Sequence, residues 1–225
     1  MQTQVSEKIK ADGIYNRYIK RVLDLVLAVV FAVILAPVYL ILALAVVIDT
    51  GFPIFYRAER GGYRNQPFRI FKYRSMIKDA DTIGGGTTAL NDSRITKVGN
   101  VLRKTKLDEI PQLFNIIKGD MSFIGPRPEL LRYTSQYEGE EMLIHRVRPG
   151  ITDYSSIEFI NLDEIVGGDN ADEMYEKYVL KRKNELRVKY AKTVSFTTDF
   201  KLLFITVWDV LKKIGRFVFK RKGAS

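Results

Sequence analysis

The sequence predicts an α+β fold that is mostly helical, with a short β-hairpin, a proline-broken apolar helix near the N-terminus and amphipathic helices further along. Two observations predict the helices: an uncharged run over Leu25–Ile48, and apolar residues at helical spacing over Asp199–Lys222. A turn-forming segment between two β-rich runs predicts the hairpin. With 225 residues, the chain can form one small domain with a hydrophobic core.

The composition limits the chemistry. There are 36 Lys and Arg residues against 26 Asp and Glu, a net charge of +10, which indicates an anionic partner such as nucleic acid, a phospholipid surface or phosphorylated substrates. The absence of Cys excludes disulfides and thiolate metal sites. The only histidine, His145, excludes multi-histidine metal sites, and we expect it to be structural or exposed. General acid–base catalysis would therefore have to use carboxylates, Lys or Tyr.

The apolar run Leu25–Ile48 is long enough to cross a hydrocarbon core of about 30 Å. Pro37 lies in its middle and removes a backbone hydrogen bond, so the helix should bend there. Because basic flanks favour the cytoplasmic side, a helix that enters and leaves by the same face satisfies both ends. We therefore expect a re-entrant membrane helix, with a kinked transmembrane helix as the alternative. The basic flanking residues are Arg17, Lys20 and Arg21 before the run and Arg57, Arg60 and Arg64 after it.

The next segments predict the hairpin and a bent helix. The β-rich runs Pro53–Tyr56 and Pro67–Tyr73 bracket the turn-forming stretch Arg60–Gln66. Ile83–Thr88, with three consecutive glycines, is expected to be a loop, either at the active site or as a plain linker. Val98–Ile117 has a helical pattern that should break or bend before its proline.

Two further helices are expected in the C-terminal part. Ala171–Lys192 is rich in Lys and Glu and is predicted to be a solvated helix that covers the core. Asp199–Lys222 combines an aromatic and aliphatic face with clustered cations, which suits an anionic membrane interface. Packing of this helix on its own domain is the alternative. Since the basic residues are spread among apolar segments and no nucleic-acid motif is present, we expect membrane rather than nucleic-acid binding.

The adjacent acids Asp108 and Glu109 lie in a stretch whose apolar residues suggest partial burial. Arg103, shortly before them, has the planar fork that suits phosphate. The stiff turn Pro126-Arg127-Pro128 follows. Together these residues fit phosphate chemistry assisted by a divalent metal, in a chain without the usual glycine-rich phosphate loops.

Several ordered blocks carry a family resemblance. They are Lys20-Arg21 with Asp24 and Pro37, then GFPIFYRAERGGYRNQPFRIFKYRSM, then DSRITKVGNVLRKTKLDEIPQLFNIIKGDMSFIGPRP, then VRPGIT. From about Tyr18 to Thr152 the chain resembles the bacterial sugar transferase family, the monotopic phosphoglycosyl transferases, in its short form. These enzymes start the assembly of surface glycans on a polyprenyl phosphate carrier.

The resemblance implies a role for each matched residue. Asp108 corresponds to the nucleophilic aspartate, and Glu109 to the partner that helps Asp108 hold Mg²⁺. Arg103 corresponds to the arginine that engages phosphate. The remaining matches are Pro126, Arg127 and Pro128 in the motif linked to the uridine nucleotide, and Lys72, Arg74 and Arg94 as phosphate contacts.

The implied reaction moves a sugar 1-phosphate from a UDP-sugar to polyprenyl phosphate through a covalent aspartyl-phosphosugar, at the cytosolic face of the bacterial inner membrane. Alternatives are direct in-line transfer without the covalent intermediate, and an inactive membrane adaptor. The expected division is 1–50 for the lead-in and membrane helix, 51–198 for the catalytic domain and 199–225 for the amphipathic basic helix. The oligomeric state stays open, with a homodimer among the options.

Two departures from the family pattern stand out. Ala36 replaces the serine often found before the proline of the re-entrant helix, which removes a side-chain hydrogen bond to the freed backbone carbonyl. After VRPGIT many members continue with Gly-Trp-Ala-Gln, whereas this chain has Asp153–Ile157. The sugar preference is expected to differ accordingly.

Overall fold

The structure, a computed structural model, describes residues 9–83, 86–88, 92–167 and 170–222. It is mostly helical with two small sheets, which confirms the α+β prediction in that form. The α-helices are α1 (Lys20–Ile34), α2 (Ala36–Thr50), α3 (Ala80–Ile83), α4 (Lys97–Thr105), α5 (Gln112–Lys118), α6 (Leu131–Thr134), α7 (Tyr154–Glu158), α8 (Leu162–Val166), α9 (Ala171–Tyr175), α10 (Lys181–Thr193) and α11 (Phe196–Lys222). The strands are β1 (Phe55–Arg60), β2 (Phe68–Tyr73), β3 (Ser122–Ile124) and β4 (Gly150–Thr152).

The apolar N-terminal segment is a broken helix. A π-helical turn, Tyr15–Ile19, leads into α1, and Leu35 separates α1 from α2 next to Pro37. Within the described residues no single helix is long and apolar enough to cross a membrane, but the pair Tyr15–Ile34 and Ala36–Thr50, bent by 65°, passes that test together by length and composition. The expected break is thus present, whereas entry into a membrane stays a prediction.

The hairpin is confirmed, with a longer first strand than expected. β1 pairs antiparallel with β2 from Phe55↔Tyr73 to Arg60↔Phe68, so the turn begins at Gly61. The predicted helix over Val98–Ile117 is α4 and α5, separated by a 3-10 turn at Leu107–Glu109. A second sheet, which the sequence did not predict, pairs β3 and β4 in parallel.

The charged segment Ala171–Lys192 is helical but not simply solvated. α9, a π-helical turn at Glu176–Leu180 and α10 form one continuous helical stretch. Lys183, Asn184 and Arg187 of α10 are buried, so the expectation of a merely solvated helix was wrong for this face. Arg187 contacts Asn184 and Glu129, which satisfies part of the charge that the sequence suggested would face water.

Two apolar clusters connect the ends of the chain to its centre. One contains Ile124 of β3, Tyr190 of α10 and Leu202 of α11, and the other contains Ala28 of α1 and Ile116 of α5. α1 and α11 therefore pack directly on the elements between them. The proposed division at residues 50 and 198 stays a prediction. His145 is buried, with Nδ1 3.2 Å from the Gly62 carbonyl oxygen, which favours a structural role.

Candidate active site

Asp108 and Glu109 lie on the short 3-10 turn between α4 and α5. The chain leaves α4 through Lys106, whose φ of 62° is left-handed, and turns back toward the core. Asp108 is 4% exposed and Glu109 is 8% exposed. The partial burial that the sequence suggested for this segment is confirmed.

Two cations hold the Glu109 carboxylate. Lys72 Nζ lies 2.9 Å from Oε1, and Arg127 Nη1 lies 3.1 Å from Oε2, with a second, very short contact from Arg127 Nη2 to Oε1. Burial favours a raised pKa for Glu109, but the charges of Arg127 and Lys72 outweigh it and hold the pKa well below its usual value. Glu109 is therefore ionised and held in place.

Asp108 has a different environment. Its Oδ1 is buried and has no hydrogen-bond partner among the described residues. Burial raises the pKa of Asp108, and the positive charge of Lys72 opposes that effect. A buried carboxylate oxygen without a donor is costly to maintain and is free to bond to an incoming group. Of the two acids, Asp108 is thus the one able to act on a ligand.

Side-chain hydrogen bonds fix the position of Lys72. Asn115 of α5 bridges to β2: its Oδ1 accepts from the Phe71 amide at 2.8 Å, and its Nδ2 donates to the Arg69 carbonyl at 2.9 Å. Because Asn115 is completely buried, this bridge is shielded from water. It sets the register between α5 and the strand that carries Lys72.

Two glycines fix the position of Arg127. The backbones at Gly125 and Gly150 approach so closely that a Cβ on Gly125 would lie 2.2 Å from the Arg148 carbonyl oxygen. This approach follows the parallel pairing of β3 with β4 and brings Arg127 Nη1 within 3.0 Å of the Ile151 carbonyl oxygen. Arg127 thus bridges the second sheet and Glu109.

The site opens into a cavity of about 1390 Å³. Its polar wall contains most of the residues predicted from sequence, and its apolar wall includes Phe31 and Leu35 at the break between α1 and α2 and Val210 of α11. A third wall comes from α7, α9 and α10. The predicted site residues that line the cavity are Lys72, Arg103, Asp108, Glu109, Arg127 and Pro128.

Three predicted residues lie outside the lining of this cavity. Arg74 is buried and donates to the carbonyl oxygens of Thr50 and Gly51, both at 2.7 Å, so its guanidinium binds the end of α2 rather than facing a phosphate site. Arg94 forms a bidentate pair with Asp92, at 2.7 Å for the shortest contact. Pro126 lines a separate small space beside His145.

The cavity also contains residues that the sequence analysis did not single out. Lys106 and Asp92 line the polar wall, and Lys183 lines the third wall. The position of Lys106, two residues before the acid pair, was the available sequence signal. Lys183 had none, because it lies in a charged helix that was expected to face water.

The described acids do not form a metal site by themselves. No group of three or more His, Asp or Glu side chains among the described residues is arranged to hold an ion. Mg²⁺, however, is commonly bound by one or two carboxylates together with substrate phosphates and water. The unpartnered Asp108 Oδ1 beside the Glu109 carboxylate fits such a shared ion.

Comparison with known proteins gives the family. The family model described as bacterial sugar transferase matches residues 15–213. The chain belongs to the bacterial sugar transferase family. This membership confirms the resemblance read from the sequence blocks.

Individual members of the bacterial sugar transferase family support the same placement. The chain is 37% identical over 198 residues to the UDP-glucose:undecaprenyl-phosphate glucose-1-phosphate transferase of Escherichia coli (strain K12), covering 86% of this chain and 40% of that protein. It is 35% identical to the uncharacterized sugar transferase EpsL of Bacillus subtilis (strain 168), covering 88% and 89%. It is 34% identical to the UDP-N-acetylgalactosamine-undecaprenyl-phosphate N-acetylgalactosaminephosphotransferase of Aeromonas hydrophila, covering 88% and 45%. The chain thus spans less than half of the first and third relatives and most of the second.

Proposed function

We propose that this protein transfers a sugar 1-phosphate from a UDP-sugar to polyprenyl phosphate, such as undecaprenyl phosphate, giving polyprenyl diphosphate sugar and UMP. The observation that carries the proposal is the single cavity that joins Asp108 and its cations to the apolar side chains of Phe31 and Leu35. A nucleotide sugar needs the charged part of the cavity around Asp108. A lipid phosphate needs that part for its phosphate and the apolar part for its hydrocarbon chain. The names of the relatives support the same pair of substrates.

In the first step, an ionised oxygen of Asp108 attacks the sugar-bearing phosphorus of the UDP-sugar. The new bond joins the carboxylate to that phosphorus, the phosphoanhydride bond breaks, and UMP leaves with the bridging oxygen. Arg103 lines the cavity and would offset the charge that repels an anionic nucleophile from a diphosphate. Glu109 is ion-paired with Lys72 and Arg127, so it positions these cations rather than attacking.

In the second step, a phosphate oxygen of the polyprenyl phosphate attacks the same phosphorus. The bond to Asp108 breaks, the carboxylate is restored, and the product is the polyprenyl diphosphate sugar. Covalent catalysis allows one carboxylate to serve a soluble donor and a lipid acceptor in turn. Both substrates need only reach Asp108, which the two walls of the cavity permit.

Asp108 and Glu109 would hold Mg²⁺ together with the donor diphosphate. Such an ion supplies charge neutralisation at the phosphoryl oxygens. The protein's own contribution is to keep Glu109 ionised through Arg127 and Lys72, and to leave Asp108 Oδ1 unpartnered.

Attachment to the cytosolic face of the bacterial inner membrane is part of the proposal. The bent pair α1–α2 exposes many large apolar side chains, among them Val33 at 70%, Ile34 at 63% and Ile48 at 85%. Exposed apolar patches of this kind mark contact with a partner or a membrane. α11 adds an exposed apolar face, with Phe200, Phe204 and Trp208 among its members. A re-entrant α1–α2 would place the mouth of the cavity beside the lipid headgroups.

The nucleophile assignment predicts that Asp108→Asn abolishes UMP release from the UDP-sugar even without lipid acceptor, while binding of the lipid survives. A matched control is Asp79→Asn, because Asp79 lies on an exposed turn with a φ of 59° that asparagine tolerates. UMP release by Asp108→Asn at the rate of the control would overturn the assignment.

A further inference from the structure

Lys183 of α10 is a buried cation that faces the cavity. The residue is 6% exposed, and it lines the cavity that also contains Asp108. Its Nζ lies 5.0 Å from the ring centroid of Tyr175 and 5.9 Å from that of Phe159. Among the described residues, the ammonium contacts these two rings. It forms no ion pair or hydrogen bond there, so its three N–H donors have no protein acceptor among those residues.

The acids around Lys183 are already engaged. Glu129 Oε2 accepts from Arg187 at 2.8 Å and from the Tyr175 hydroxyl, while Oε1 accepts from a backbone amide. The Asp153 carboxylate accepts from the Ser155 hydroxyl and from the amide that it caps at the start of α7, both at 2.8 Å. Their charges raise the pKa of Lys183, but among the described residues neither carboxylate forms an ion pair or hydrogen bond with it.

The environment leaves Lys183 charged but poorly solvated. Burial, followed by the charge of Arg187, lowers the pKa of Lys183 to about 8. At neutral pH most molecules therefore carry a buried ammonium on a residue that lines the cavity. Such a group gains more than a solvated lysine when a ligand supplies an oxygen acceptor.

We propose that Lys183, Tyr175 and Phe159 form the subsite for the pyranose ring of the donor, with Lys183 donating to an oxygen substituent of the ring, either a hydroxyl or an acetamido carbonyl. The inference rests on the proposed function and adds the residues that recognise the sugar. Aromatic faces suit the C–H face of a pyranose, and a few placed polar groups then fix its orientation.

The location of Lys183 agrees with this role. Lys183 lines the same cavity as Asp108 and as Arg127, which contacts Glu109. In an in-line displacement the nucleotide leaves opposite Asp108, whereas the sugar oxygen stays beside that axis. Sugar and nucleotide thus extend in different directions from the phosphorus. The same wall includes Ser156 and Phe159, in and next to the segment that departs from the family pattern.

The test compares Lys183→Met with the control Lys181→Met, an exposed lysine of the same helix. Both variants carry Asp108→Asn so that the donor is not consumed, and calorimetry measures binding of UDP-glucose, UDP-N-acetylgalactosamine and UDP. Loss of a charge-assisted hydrogen bond should lower the affinity for at least one UDP-sugar by about 10- to 100-fold. The affinity for UDP should stay within about twofold of the parent value. The control should bind all three as the parent does.

Three results would overturn the inference. Equal losses for UDP and the UDP-sugars would assign Lys183 to the nucleotide, and no loss would remove it from the site. If the protein with Asp108 intact binds no UDP, the proposed function itself fails, a result distinct from the first two.

A measurement without a Lys183 substitution covers the case in which Lys183→Met does not fold. In the parent protein, the ratio of UDP-sugar to UDP affinity should fall as the pH rises through about 8, because the donor is lost when Lys183 deprotonates. A flat ratio between pH 7 and pH 9 would contradict the subsite. The charged and titratable groups around Lys183 are Arg187 and Glu129, Arg127, Asp153 and Tyr175.

Discussion

Substitution of Arg127 by methionine should destabilise the protein measurably, because Arg127 holds a buried carboxylate. The change removes two hydrogen bonds to Glu109 and one to the Ile151 carbonyl, and leaves Lys72 as the cation that still contacts Glu109 among the described residues. Breaking one partner of a buried ion pair costs about 3–5 kcal/mol. Since the Arg127 side chain is 28% exposed and Lys72 still compensates Glu109, we expect about 2–3 kcal/mol. This corresponds to a melting temperature lower by roughly 4–12 °C.

Differential scanning fluorimetry in a fixed detergent measures this shift. The matched control is Arg69→Met, because Arg69 pairs with Glu59 at 3.4 Å with both side chains more than half exposed. An exposed pair is worth about 0–1 kcal/mol, so Arg69→Met should melt within about 4 °C of the parent. Glu109→Gln in the Arg127→Met background should recover part of the loss, because it removes the buried charge. If the two arginine variants melt alike, the account of Glu109 as a buried, cation-held carboxylate is wrong.

Three other contacts, made by Arg74, Asp199 and Asp172, can be tested in the same way. Arg74→Met should lower the melting temperature, since it frees the carbonyls at the end of α2, yet leave the KM for UDP-sugar of the folded enzyme unchanged; a raised KM would return Arg74 to the phosphate site. Asp199→Asn should destabilise by about 3–5 kcal/mol in chemical unfolding, because it leaves Lys20 buried without its anion; a change within 1 kcal/mol would refute this. Asp172 has a pKa lowered to about 2, so its contribution is present above about pH 4 and lost as the pH falls toward 2; the melting difference between the parent and Asp172→Asn should narrow over that window, and a constant difference would contradict it.

The sequence predicted elements whose signals are local. Pro37 and the uncharged run predicted the broken helix, and the glycine-rich turn predicted the hairpin, because both depend on nearby residues. The pairing of β3 with β4 was missed, since each strand is three residues long and its partner is distant in sequence. Local patterns cannot specify such a contact.

The difference between local signals and distant contacts also explains which residues of the candidate site could be predicted from the sequence. Asp108, Glu109 and Arg127 were predicted from motif and resemblance, and the structure brings all three to one cavity. The family resemblance placed Arg74 at a phosphate, whereas in the structure its guanidinium donates to the carbonyls at the end of α2. Lys183 was missed because a lysine in a charged helix predicts a solvated residue. The packing of α10 against α7, together with the rings of Phe159 and Tyr175, buries it.

The most direct test of the central claim is to trap the covalent intermediate. The protein is incubated with UDP-sugar labelled in the sugar, without lipid acceptor, then digested and analysed by mass spectrometry. The account predicts a phosphosugar adduct on the peptide that contains Asp108, formed with UMP release and lost when polyprenyl phosphate is added. Transfer to polyprenyl phosphate at the normal rate by a protein that never carries the label on Asp108 would contradict it.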